Sequence, residues 1–155
     1  MSLFKKSEPR LATPVSPEQT ALPLRRVRIV NETRGSVLAE HAEVADTAPS
    51  RSKGLLGRDG LGPGEALWIV PCESVHTFWM RFDLDLVYLD RKYRVVKIRK
   101  NVPPWRLSAC LRAHSIIEFQ AGALSNADTV PGDQLAIGPA MFPQANAPVL
   151  NTEPD

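Results

Sequence analysis

The sequence predicts a mainly β fold, a small sandwich or barrel with one or two short helices, and three observations lead there. Short apolar runs recur through the middle of the chain: "ALWIV", "SVHTFWM", "LDLVYLD", "RVVKI" and "SIIEFQAG", separated by residues of the kind that make turns. A chain of 155 residues that is 43% apolar carries material for one ordinary core and is short for two domains. Proline marks the ends, with eight of the fourteen in residues 1–23 and 139–155, where neither helical nor strand periodicity is seen. These two segments read as flexible tails around a single domain of residues 24–138.

The elements follow in chain order. "LRRVRIVNETRGSVLAEHAEVAD" holds two strand-like runs around the polar "NETRG", with Val27 and Ile29 alternating against arginines, which is a β-hairpin pattern. "DTAPSRSKGLLGR" reads as a helix: Asp46 or Thr47 can cap it, Pro49 suits its first turn, and Arg51, Leu55 and Arg58 fall on one face. Gly54, inside that stripe, is explained there as room for close packing of the helix. After the glycine-rich "RDGLGPGE" come the strand-like runs, with "LDRKYRVV" as a second hairpin and "QLAIG" as a last strand behind the turn "VPGD".

Charge excludes little but directs attention. Nineteen Lys and Arg nearly balance seventeen Asp and Glu, so the whole chain calls for neither nucleic acid nor an acidic membrane as partner. No apolar stretch follows the first lysines as a signal peptide requires, and no run has the length of a membrane span, which together give a soluble, cytoplasmic reading.

Taken together, "RSKGLLGR", "ALWIVPCESVHTFWMRFDLDLVYLD", "VPPWRLS" and "IIEFQAG" followed by "PGDQL" resemble the DUF192 family of small prokaryotic domains, over about residues 27–137. The family typically has proline where this chain has Asp83, and a glycine in the hairpin where it has Tyr93. The resemblance implies a mostly β fold. It supplies no reaction.

Candidate sites come from alternation. If residues 75–81 are extended, His76, Phe78 and Met80 share one face, and Val75, Thr77, Trp79 and Arg81 the other. Trp79 then either covers the edge of the core or forms a ligand-stacking platform, while His76 beside Phe and Met reads as a core residue before a catalyst. Asp85 falls on the side of Val87 and Leu89, so its charge needs a partner. Arg51 and Arg58 are the natural ones, as a structural clamp or as two arginines that hold an anionic ligand. Cys72 with His76, and Cys110 with His114, repeat a CxxxH spacing. An extended Cys72–His76 segment spans ~13 Å, too far for one ion, so no metal is expected and the cysteines read as plain thiols. Residues 91–112 carry eight basic side chains and no acid, within which "VPPWRLS" sets Trp105 and Arg106 behind two stiffening prolines. Glu118 faces away from Ile117 and Phe119, toward a polar cleft or water.

Two function classes follow. The first is a non-enzymatic binding module recognising a small molecule, glycan or peptide through Trp79, Trp105, Arg106 and the Arg51/Arg58 face. The second is a glycan hydrolase using Asp85 and Glu118 as paired carboxylates, which requires both in one open groove. The chain has no GxSxG, GxxxxGK[ST] or HExxH to support another enzyme class, no cofactor is expected, and no recognised nucleic-acid motif accompanies the basic strip.

Overall fold

The computed structural model describes residues 23–139. The tails expected at 1–23 and 139–155 lie, apart from residues 23 and 139 themselves, outside the described residues. The fold is mainly β, with nine strands and one short helix among the described residues.

The first hairpin forms as its alternation requires. β1 (Arg26–Asn31) pairs antiparallel with β2 (Ser36–Ala45), and Val27 and Ile29 are buried. The helix α1 (Ala48–Lys53) begins at Thr47, whose side chain accepts from the Ser50 N–H while Ser50 Oγ accepts from the Thr47 N–H. It is shorter than its sequence pattern. Gly54 sits at φ +48°, a backbone conformation that glycine enters freely, and it caps the helix by donating its N–H to the Ser50 carbonyl. Gly54 is therefore a stop rather than a packing notch, and Arg51, Leu55 and Arg58 do not form one helical stripe.

The segment holding α1 returns the chain to β3 (Glu65–Ile69), which lies parallel to β2, as a crossover connection allows. The chain continues through β4 (Ser74–His76), β5 (Leu84–Leu89), β6 (Val95–Val102), β7 (Leu107–Ala109), β8 (Ser115–Gln120) and β9 (Leu135–Pro139). Seven strands form one sheet in the order β6-β5-β8-β3-β2-β1-β9, while β4 and β7 pair separately as a small antiparallel ribbon. The large sheet curls far enough that its edges meet at a bridge between Arg94 and Gln134. Val95 from β6 and Leu135 from β9 accordingly share one core with Ile29, Trp68, Val87, Ile117 and Phe119.

A second core covers the other face. Leu67, Leu84, Leu86, Tyr88 and Ile116 pack there under Leu55, from the turn after α1, and Met80, from the loop after β4. Between β5 and β6, Tyr93 adopts φ +60°, a conformation that glycine enters more freely. Its ring meets Trp68 edge-on, with centroids 5.7 Å apart. At the bridged ends, Asp133 accepts from Asn31, Arg34 and the Val130 N–H. Burial would raise its pKa, but those hydrogen bonds outweigh burial and hold the carboxyl below its ordinary value.

Candidate functional site

β4 is shorter than alternation suggests, and this changes what the tryptophans do. The strand ends at His76 and the chain turns, with Trp79 at φ +60°. Trp105 takes φ +64° in the loop before β7. Bulky residues rarely hold this conformation, and here it turns two indoles outward. Trp79 is 65% exposed and Trp105 55% exposed, so neither closes the core edge, one of the two readings open for Trp79. The indole centroids lie 5.2 Å apart and Phe78 contacts both, at 6.0 Å from Trp79 and 5.8 Å from Trp105. His76 stacks on Phe78 at 5.1 Å, and exposed Leu107 is paired with His76 across the ribbon.

A residue the sequence did not single out holds this platform together. Thr77 is 1% exposed. Its N–H donates to the Arg106 carbonyl, and its own carbonyl accepts from the N–H groups of Trp105 and Met80. Its hydroxyl donates to the Pro103 carbonyl at 2.8 Å and accepts from the Arg106 N–H at 2.9 Å. One buried threonine thus ties the Trp79 loop to the Trp105 loop. In sequence it was one polar residue in an aromatic run, and its partners lie 26 to 29 positions away.

Beside the platform opens a cavity of about 250 Å³, lined by Arg51, Lys53, Ile69, Cys72, His76 and Glu118, among others. His76 belongs to both surfaces, since it lines the cavity and stacks on Phe78. Glu118 projects from the centre of β8, is 4% exposed, and accepts no hydrogen bond or ion pair from any described residue. Burial pushes its carboxyl pKa up to about 7. Cys72 donates its thiol to the Ser74 carbonyl, and burial pushes that thiol up as well, which keeps it from being a ready nucleophile. Cys72 and Cys110 are both free. Cys72, His76 and Glu118 line one cavity, yet among the described residues no three such side chains converge to hold a metal ion.

The other expected sites separate. Asp85, 1% exposed, is not clamped by either arginine. Its two oxygens accept from the backbone N–H groups of Asn101 at 2.9 Å and Gly122 at 3.0 Å. Arg51 donates instead to the Asp46 carbonyl, and Arg58 pairs with Glu43, away from the cavity. Register also separates the two carboxylates. Across β5 and β8, Asp85 lies opposite Phe119, and Leu86 lies opposite Glu118. Directly paired residues share a face and neighbours alternate, so the two carboxyls point to opposite sides of the sheet. The basic strip serves partly to join the two sheets: Lys97 donates to the Ala109 carbonyl and Arg99 to that of Leu107, both on β7. Arg106 remains beside Trp105, whose carbonyl it bonds.

Comparison with known proteins gives a family but no activity. The family model DUF192, described as Uncharacterized ACR, COG1430, matches residues 29–137, in agreement with the resemblance carried by the motifs. The chain is 32% identical over 114 residues to a UPF0127 protein of Thermococcus gammatolerans, covering 70% of this chain and 73% of the relative. It is 30% identical over 132 residues to one from Thermococcus kodakarensis, covering 81% and 83%. A crystal structure of a protein of unknown function from Novosphingobium aromaticivorans superposes with a TM-score of 0.64 at 22% identity, covering 86% of this chain and 99% of the other. A crystal structure of a putative transcription regulator from Sinorhizobium meliloti gives 0.66 at 19% identity, covering 76% and 97%. These structural likenesses show the fold alone. No helix among the described residues is long and apolar enough to cross a membrane.

Proposed function

The chain belongs to the DUF192 family, and we propose that it acts as a non-enzymatic binding module that takes its ligand across the Trp79–Trp105 platform and into the Glu118 cavity. One observation carries this reading. Two tryptophans are held outward at positive φ, in mutual contact, beside a cavity whose buried carboxyl has no bonding partner among the described residues. Large rigid rings give contact area at low entropic cost, and a shaped recess with a few polar groups among apolar walls gives orientation. Backbone strain of order 1–3 kcal/mol is typical of sites where side-chain aim matters more than local stability.

The placement of Asp85 and Glu118 on opposite faces of the sheet weighs against the paired-carboxylate alternative. The test is a ligand screen over sugars, short peptides and small charged molecules by saturation-transfer NMR, repeated on the Trp79→Ala/Trp105→Ala double variant. Hits that vanish in the folded variant support the module. Hits that persist unchanged place binding elsewhere and refute the platform.

A further inference from the structure

The cavity beside the platform has a chemistry of its own. Its lining includes the Glu118 carboxyl, which no described residue bonds, and the apolar Leu55, Ile69, Val75 and Met80. Arg51 and Lys53, from the last turn of α1, line the same recess. A buried carboxylate without a partner is costly, and a cation brought by a ligand would relieve that cost. The two basic side chains would in turn repel a ligand that is only cationic and attract an anionic group on it. At about 250 Å³ the cavity is smaller than the usual range for drug-sized ligands, so the bound group has few heavy atoms.

From this arrangement we infer that the cavity binds a small zwitterion, with an ammonium placed on Glu118, a short apolar stem along Ile69 and Met80, and an anionic end met by Arg51 and Lys53. The inference rests on the reading of the platform and cavity as a binding surface, and it narrows the ligand class for the cavity half.

The experiment is a calorimetric and ¹H–¹⁵N NMR titration of the full chain with a homologous series of ω-amino acids, from 3-aminopropanoate to 6-aminohexanoate. n-Butylamine and butyrate serve as single-charge controls. At least one zwitterion is expected to bind ten-fold or more tightly than either control, with shifts at the amides of Arg51, Lys53, His76 and Glu118. Glu118→Gln is expected to abolish that preference, and Arg51→Met to bring the zwitterion down to the level of butylamine.

Equal binding to parent and Glu118→Gln overturns the inference, as does equal binding of zwitterion and controls, or no binding across the series. If Trp79 and Trp105 still respond to other molecules from the wider screen, that failure leaves the platform standing. If nothing perturbs them, both readings fall.

Discussion

Asp85 and Glu118 stand one step apart in the pairing of β5 with β8 and on opposite faces of the sheet, because Asp85 is opposite Phe119 and Leu86 opposite Glu118. That single offset divides their roles. Asp85 ends in two backbone N–H groups and fixes loops, while Glu118 ends in a cavity with no bonding partner among the described residues.

The structural role of Asp85 sets the first expectation. Asp85→Asn keeps the size but replaces one acceptor with an amide that faces an N–H. The loss of a buried charge-assisted hydrogen bond is expected to cost about 1.5–3 kcal/mol. Urea unfolding, with midpoint and slope compared to the parent, measures it. A change below about 0.5 kcal/mol would show that the Asn101 and Gly122 bonds do not support the fold.

Glu118 gives a pH dependence with a defined sign. Its carboxyl is raised from 4.5 to about 7 in the folded chain. Below about pH 4.5 both states are protonated and the group is neutral in its effect. Between there and about pH 7 the unfolded chain releases the proton first, so stability falls as pH rises. Above about 7 the full penalty applies, on the order of 3 kcal/mol. Glu118→Gln should therefore flatten the profile and exceed the parent in stability at pH 8. A parent at least as stable at pH 8 as at pH 5, relative to that variant, would contradict it. Asp133, shifted downward, acts in a window below its ordinary 3.8, where its stabilisation is lost as pH falls, and does not overlap.

How much of this was legible in the sequence depends on the range of the interaction. The two hairpins were readable because alternation and turn residues are local, and Thr47 and Pro49 wrote the start of α1. Its end was misread because Arg51, Leu55 and Arg58 keep a helical spacing, whereas Gly54 takes a non-helical φ that spacing does not reveal. Alternation likewise carried β4 past its end, since nothing in "HTFWM" announces a tryptophan at positive φ. Arginines were matched to Asp85 because side chains are visible in a sequence and the N–H groups of two distant loops are not. The face of Glu118 was readable; its cavity, built from α1, the end of β3 and β4, was not.

Thr77 supplies a further check. Thr77→Val preserves the branched shape and leaves the Pro103 carbonyl and Arg106 N–H without their hydroxyl partner. The expected cost is about 1–3 kcal/mol by urea unfolding. Loss of mutual order in the platform should follow, read as weakened nuclear Overhauser contacts between the Trp79 and Trp105 rings. Unchanged stability and unchanged contacts would mean the hydroxyl is not the tie.

The exposure of the platform sets the expected cost of losing either ring. Trp79, the more exposed of the two, is not an anchor of the core, so Trp79→Ala and Trp105→Ala should each cost less than about 1.5 kcal/mol, most of it from their mutual contact. A cost of about 3–5 kcal/mol for either, the value for a buried aromatic, would place that ring in the core.

The most direct measurement uses the chain's three tryptophans. Their indole N–H groups give three resolvable ¹H–¹⁵N signals, two from the exposed platform and one from Trp68, buried against Tyr93. Titration with a ligand found by screening should move the Trp79 and Trp105 signals together, with dose-dependent saturation, while Trp68 stays in place. Saturable binding that moves Trp68 or none of the three would contradict the account.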